Sequence, residues 1–350
     1  MSLRSAMADD KPTSRRSVLE ALRDGLAEEM TRDPGVFCMG EDISIAGGWG
    51  GVFTVTLGLE ERFRNQLLDT PISELGYFGL AVGAAIMGMR PVVDVQYGDF
   101  LFLAMDQIVN QAAKMSYMSG GQVRVPLVIR SPVGATGRGA QHAQTLERFF
   151  SGIPGLKVAC PATAYDAKGL LKAAIRDDNP VILFEHKLLY GSKGLGQAIG
   201  AVDASSEIPE DDYIVPIGKA CIRRSGIDVT VIATLLMMHV ALNVAEALAD
   251  EGIEVEVIDP RSINPFDWEL VEESVTRTKR AIIVEEGPLT GGWSAEIAAG
   301  LHARLSDHLA RPVVRVASPD IPVPFAPRLE EAYRPSREAI AQAIRTVIES

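Results

Sequence analysis

The sequence predicts an α/β protein built as two doubly wound domains, each a parallel sheet covered by helices. Three observations carry that prediction. Short apolar runs alternate with helical periodicity along most of the chain, the pattern of successive strand–helix–strand units. The alternation breaks once, between Gly191 and Asp212, where Gly, Ser and acidic residues replace periodicity. At 350 residues the chain is long enough for two domains of ordinary size.

Each element has its own signal. Residues 1–14, small, polar and mixed in charge, read as a flexible tail. Ser17 and Glu20 make a capping box, and Val18, Leu19, Leu22, Leu26 and Met30 share one face, so a helix is expected from Ser17 to Thr31. Asp33-Pro34-Gly35 ends it, Val36 to Met39 is a strand, and a glycine-rich turn follows at 47–51. The nearly uncharged segment Tyr77 to Met89 is expected as a helix, whose Gly79 and Gly83 either pack inside the domain or admit a helix from another chain. Arg90–Gln96, Val125–Ile129, Leu156–Ala159 and Val181–Glu185 read as strands, with helices at Phe100–Met118 and Ala164–Arg176. The first domain is drawn at 15–194, a linker at 195–216 and the second domain at 217–350. In the second, strands Val229–Ala233, Val255–Asp259, Ala281–Val284 and Val313–Val316 alternate with helices Met237–Asp250, Asp267–Arg277, Ser294–Leu305 and Ser336–Ile348.

Composition removes several classes of function. Hydrophobic residues at 47% and charged residues at 23% describe a globular chain. A net charge of −12 argues against a nucleic-acid partner, which calls for a basic face. Cys38, Cys160 and Cys221 are far apart and form no CxxC pair, so neither structural zinc nor an iron–sulfur cluster is expected, and reduced thiols in the cytoplasm are. No signal peptide and no membrane-spanning run is recognised. HExxH and GxSxG are both missing, which sets zinc and serine hydrolases aside.

The most informative run is Asp69-Thr70-Pro71-Ile72-Ser73-Glu74-Leu75-Gly76, a carboxylate placed just ahead of an apolar helix. Two readings stand for Glu74. It is a half-buried group suited to hydrogen-bonding a heterocyclic nitrogen and moving a proton, or a helix-start glutamate favoured by the dipole. Phe100 and Glu41 each follow a strand, at the edge where parallel sheets place ligands; a core phenylalanine explains the first equally simply. His142 lies on a polar loop after the glycine-rich stretch Gly134–Gly139, a setting for exposed, functional histidines. His186 is either structural or lines the cleft, and His239, His302 and His308 carry weaker signals.

Nine motifs then occur in order: Gly40-Glu41-Asp42-Ile43, Gly50-Gly51-Val52-Phe53, Asp69 to Gly76, Asp106 to Lys114, Gln141-His142-Ala143-Gln144, Pro154 to Val158, Asp166 to Leu171, Ala174-Ile175-Arg176-Asp177 and Glu185-His186-Lys187. Together, from about residue 15 to the C-terminus, they resemble the beta subunit of thiamine-diphosphate-dependent 2-oxo acid dehydrogenases, the pyruvate, branched-chain and acetoin dehydrogenases, with the pyrimidine-binding half of transketolase as a distant relative. The resemblance implies a transketolase-like pyrimidine-binding domain followed by a transketolase-type C-terminal domain. It implies that Glu74 hydrogen-bonds N1′ of the cofactor's aminopyrimidine and favours the imino tautomer that deprotonates the thiazolium. Phe100 would stack on the pyrimidine, Glu41 and Ile72 would approach the cofactor or the neighbouring subunit, and His142 would face substrate and assist acyl transfer to a lipoyl arm. Leu127, Ala174, Ile175, Asp177 and Asn179 match a potassium site made mostly of backbone carbonyls, and hard oxygen ligands suit such an ion.

Departures and one omission refine this. Ala143 stands where the family usually has serine, Leu235 where it commonly has glycine, and Pro260 where leucine is usual. The GDG segment that holds magnesium and the diphosphate occurs nowhere in the 350 residues; Gly98-Asp99-Phe100 breaks after its second residue. The implied catalytic unit is therefore a heterotetramer, in which an alpha subunit carrying GDG holds the magnesium and completes each site. The second implied partner is a lipoyl acyltransferase core. Gly48-Trp49-Gly50-Gly51 and Val323-Pro324-Phe325-Ala326-Pro327 resemble the acetoin branch, which keeps an acetoin dehydrogenase beta subunit as the alternative. A two-chain transketolase-like transferase is a further one.

Overall fold

In the computed structural model, residues 13–45, 50–191 and 201–349 are described. The tail up to residue 12 and most of the glycine-rich turn at 47–51 lie outside them, as do residues 192–200, which take in the 195–200 part of the stretch drawn as a linker. The chain opens with β1 (Thr13–Arg16), so two residues assigned to the tail are strand; β1 pairs antiparallel with β8 (Ser206–Pro209), a strand inside the expected linker. Neither four-residue strand has a sequence signal of its own, because each exists through the other.

The first domain runs through α1 (Val18–Arg32), β2 (Val36–Gly40), β3 (Leu67–Asp69), α2 (Glu74–Ile86), β4 (Arg90–Asp94), α3 (Ala113–Met118), β5 (Val128–Val133), α4 (Glu147–Phe150), β6 (Lys157–Ala159), α5 (Ala164–Arg176) and β7 (Val181–His186). The expected capping box is present: the Glu20 amide donates to the Ser17 hydroxyl, and the Ser17 amide donates to the Glu20 carboxylate. The helix expected at Phe100–Met118 divides into a 3-10 stretch (Gly98–Ala104), a π stretch (Asp106–Ala112) and α3. The second domain holds β9 (Cys221–Arg224), β10 (Val229–Ala233), α6 (Leu235–Ala249), β11 (Val255–Asp259), β12 (Ser262–Asn264), α7 (Trp268–Thr278), β13 (Ala281–Pro288), α8 (Trp293–Leu305), β14 (Val314–Ser318), α9 (Pro327–Tyr333) and α10 (Arg337–Glu349).

The first sheet has the order β12-β6-β7-β5-β4-β2-β3, and the second β14-β13-β10-β11-β9. Both are parallel except where β12 meets β6 and β9 meets β11. Their near-continuous buried strands, Val229–Ala233 among them, are what two covered faces require. In the first sheet the chain steps from β2 out to β3, then returns to β4 on the other side of β2. That reversal is the switch point where such sheets open a crevice at the strands' carboxyl ends. The domains are joined covalently and by pairing: β12, from the second domain, is an edge strand of the first sheet. Beside it Asp166 and Asp259, both buried, receive Arg223, while Arg261 reaches Asp166 at 2.8 Å.

Candidate active site

The switch point gathers the carboxyl ends of three strands in register, Gly40 of β2 facing Asp69 of β3 and Asp94 of β4. Gly40 is required there, since a β-carbon would lie 2.4 Å from the Asp94 carbonyl. Glu41 leaves β2 at this edge, and the Asp69 carboxylate accepts from the Ser44 amide and hydroxyl at 2.9 and 2.7 Å, fixing the turn that carries it. Glu74 is the first residue of α2 and only 7% exposed, more deeply buried than the half-burial expected of it. Burial, and then the charges of Glu74, Asp42 and Asp94, push the Glu41 carboxyl up to about 7. Tyr77, one turn along α2, feels the same field, and its phenol is raised by burial and by Glu41 and Glu74. Among the described residues, the buried Tyr77 hydroxyl, Thr70 hydroxyl and Gln96 side-chain oxygen have no hydrogen-bond partner. Two neighbouring carboxylates with unsatisfied hydroxyl and amide groups fit a planar heterocycle bearing both ring nitrogens and an amino group.

An aromatic group adjoins this acidic one. Phe100, half-buried in the 3-10 stretch, meets the His142 ring edge-on with centroids 5.4 Å apart. Tyr97 also meets the same imidazole edge-on, at 5.2 Å. The Lys187 ammonium lies 5.0 Å from the Tyr97 ring centre and donates to the His142 carbonyl. Burial brings the Lys187 ammonium down to about 8. Asp99 accepts from Gln144 at 2.8 Å and so ties the His142 loop to the Phe100 turn.

Below lies a charged floor. Arg130 donates to both oxygens of Glu185 at 2.8 and 2.7 Å and to Asp94 at 2.8 Å, and the Tyr190 hydroxyl donates to Glu185 at 2.6 Å. One guanidinium between two buried carboxylates leaves one negative charge in excess, and burial, partly offset by Arg130, raises the Asp94 carboxyl.

The expected residues fare differently. Glu41 and Glu74 share one cluster, and Phe100 and His142 another, on adjacent strand ends. Ile72 is 83% exposed, with Leu75 and Leu80 also open, so it faces out from this chain. His186 is structural: its Nε2 is 2.9 Å from Glu286 of the second domain, and its Nδ1 accepts the Leu188 amide. His239 bonds the Ala162 carbonyl at 2.7 Å. Ala143 packs in a small buried cluster with Ala135, Val323 and Tyr333, where a methyl is at home and a hydroxyl would need a partner. Leu235 has φ +51°, the left-handed backbone that glycine adopts freely.

At the potassium positions, four of the five carbonyl oxygens, those of Leu127, Ala174, Ile175 and Asp177, already accept a hydrogen bond. Arg90 donates to the Ile175 and Asp177 carbonyls at 2.9 and 3.0 Å; the Leu127 carbonyl accepts from Val181 and that of Ala174 from Asp177. Asn179 and Lys157 donate to the Asp177 carboxylate. Among the described residues no group of three or more His, Cys, Asp or Glu could hold a metal ion. Tyr77, Tyr97, Asp94 and Lys187 carry no chemical signal of their own in the sequence; Lys187 alone has a pointer, as the last residue of Glu185-His186-Lys187.

Comparison with known proteins gives the family and the fold. Residues 15–193 match the family model described as transketolase, pyrimidine binding domain, and residues 218–340 the one described as transketolase, C-terminal domain. The chain is 45% identical over 337 residues to an acetoin:2,6-dichlorophenolindophenol oxidoreductase subunit beta of Cupriavidus necator, covering 94% of this chain and 96% of the relative. It is 44% identical to a pyruvate dehydrogenase E1 component subunit beta of Rhizobium meliloti, covering 95% and 69%. To a 2-oxoisovalerate dehydrogenase subunit beta of Bacillus subtilis it is 40% identical, covering 95% and 98%. A solved structure titled split gene transketolase, inactive beta4 tetramer, shares the fold with a TM-score of 0.76 at 23% identity, covering 95% of this chain and 98% of that one.

Proposed function

Because the chain belongs to the family of transketolase-type dehydrogenase beta subunits, we propose that it is the beta subunit of a thiamine-diphosphate-dependent 2-oxo acid dehydrogenase. With an alpha subunit it decarboxylates a 2-oxo acid and passes the acyl group to a lipoyl carrier. The observation that carries this reading is the buried Glu74 beside Glu41 and the unsatisfied Tyr77 hydroxyl. Bound thiamine diphosphate supplies a nucleophilic carbon and an electron sink, which side chains lack. Glu74 would hold a proton against its pyrimidine nitrogen, and the half-buried Phe100 would offer a ring face for stacking. Glu41, whose carboxyl titrates near neutrality, is a proton reserve for the same corner. His142, on a loop and in edge-on contact with both Tyr97 and Phe100, moves the proton that accompanies acyl transfer.

The missing GDG segment supports an alpha subunit that holds magnesium and the diphosphate, in a heterotetramer with sites at the subunit interfaces. Ile72, Leu75, Leu80 and Met87, exposed along and around α2, suit such a contact. No step is routed through potassium, since Arg90 already places a positive charge at two of the proposed carbonyls. No described helix is long and apolar enough to cross a membrane; we place the protein in the cytoplasm on its unpaired cysteines.

The acetoin reading is kept because a relative bears that name. Offering pyruvate, 3-methyl-2-oxobutanoate and acetoin to the complex reconstituted with a GDG-bearing alpha subunit separates the substrates. Lipoyl-linked turnover of one of the 2-oxo acids is the expected result. Turnover of acetoin alone selects the alternative, and carrier-free ketol transfer between sugar phosphates would place the chain among the transferases.

A further inference from the structure

The loop that carries His142 is held from the other domain as well as from its own. The Gly134 amide closes its neck on the Gln144 carbonyl at 3.1 Å. Lys187 on the His142 carbonyl and Asp99 on Gln144 hold it from its own domain; the contacts of its first half cross the domain boundary. The Ala135 amide donates to Glu286 of β13 at 2.7 Å, and the Gly137 amide points between the carboxylate oxygens of Glu330 in α9, 2.6 and 2.7 Å away. Arg334, one turn on, donates to the Ala135 carbonyl at 3.4 Å. Apolar contacts repeat the pattern, with Ala135 and Ala143 buried against Val323 and Tyr333. The Phe325 ring covers Gly139, where an added β-carbon would sit 3.2 Å from it.

The loop needs this external hold. Gly134, Gly137 and Gly139 all have left-handed backbone, a loose arrangement that costs conformational entropy to fix. Gly134 is pressed against His186, whose other bond is to the same Glu286. Glu330 is buried, and its charge-assisted bond to a backbone amide is of the stronger class.

We propose that Glu330 is a positioning residue for His142: the second domain clamps the loop through Glu330, with Glu286 and Phe325 in support, and so sets where the imidazole stands against Tyr97 and Phe100. The proposal rests on His142 serving acyl transfer. It gives the C-terminal domain a direct part in the second half of the reaction.

Two half-reactions of the reconstituted complex separate the possibilities: decarboxylation followed with 2,6-dichlorophenolindophenol, and acylation of a lipoylated carrier domain. Glu330→Ala strands the Gly137 amide, and acylation should fall about tenfold while dye-linked decarboxylation changes less than about threefold. Glu330→Gln keeps an oxygen acceptor and should restore acylation to within about twofold of the original. Phe325 is 71% exposed, so Phe325→Ala leaves the fold intact; it should show the same selective loss, smaller in size, and it decides the matter if Glu330→Ala does not assemble. Equal losses in both assays, no loss in acylation, or failure of glutamine to rescue would each overturn the clamp. His142→Ala is run alongside. If it too lowers both half-reactions equally, the role given to His142 is what fails; if it is selective and Glu330→Ala is not, only the clamp fails.

Discussion

Glu41 and Glu74 act on each other, and that gives the residue scale its tests. Replacing Glu74 by glutamine keeps its size and removes the carboxylate's capacity to exchange a proton. Turnover of the reconstituted complex should fall by at least about a hundredfold, and a variant retaining more than about a tenth of the activity, roughly 1.4 kcal/mol in the barrier, would remove Glu74 from its role. The second test is pH dependence. The Glu41 carboxyl stands at about 7 in the folded chain against an ordinary 4.5, through burial first and the charge of Glu74 second. Between those values the folded state holds a proton that the unfolded state has lost, so the Glu41 contribution to stability is complete below about 4.5 and lost as pH rises through 7. Glu147, buried and raised to about 8, has the same sign. The contribution of Glu41 is therefore read as the difference between the original chain and Glu41→Gln. The variant's melting temperature should decline less between pH 5 and 8, and a parallel decline would contradict the shift. Glu74→Gln, by removing the neighbouring charge, should bring Glu41 part of the way back.

At the scale of elements, α2 carries the main question left by the sequence, whether its glycines serve packing within the domain or approach by another chain. Gly79 faces Gln107, whose side chain would lie 3.5 Å from an added β-carbon, whereas nothing lies within 4 Å of one at Gly83. Gly83 is thus an interior helix glycine on an open face. Gly83→Leu should leave the isolated chain as stable or about 1 kcal/mol more so, by helix propensity, measured by urea unfolding. The same change should abolish assembly with the alpha subunit, seen by size-exclusion chromatography; undisturbed assembly would place the interface elsewhere. Long, periodic elements are legible in the sequence: α5 and β10 have the expected bounds, because amphipathic or wholly buried patterns are written locally. The helix expected at 100–118 is legible as helical but not as three windings. Its 3-10 start is set by tertiary contact, since a β-carbon on Gly98 would come within 2.7 Å of the Ser131 hydroxyl. The short strands β1, β3, β8, β9 and β12 have no local signal, each being three or four residues that become strand through a distant neighbour.

At the scale of the whole molecule, the proposed reading makes this chain half of a shared site, and its net charge is −12. Lacking GDG, the isolated chain should show no micromolar affinity for thiamine diphosphate with magnesium by calorimetry, and tight binding would contradict a shared site. Its net charge of −12 suits a basic module of the acyltransferase core, docking on residues 217–350. That docking should weaken as salt is raised, and salt-insensitive binding would remove the electrostatic basis. The sequence by itself determined the α/β class, the two parallel sheets, and the places of Glu41 and Phe100 after strands, Glu74 ahead of a helix and His142 on a polar loop, because periodicity and strand-to-helix transitions are local properties of a chain. Only the tertiary structure decided that Glu41 titrates near neutrality, that Arg90 occupies carbonyls matched to potassium, that β12 crosses to the other sheet, and that Glu330 holds the loop of His142 across 193 positions of sequence. Each of these depends on groups apart in the chain whose contacts, burial and mutual charge exist only once the chain has folded, the first two within one sheet and its helices and the last two across both domains.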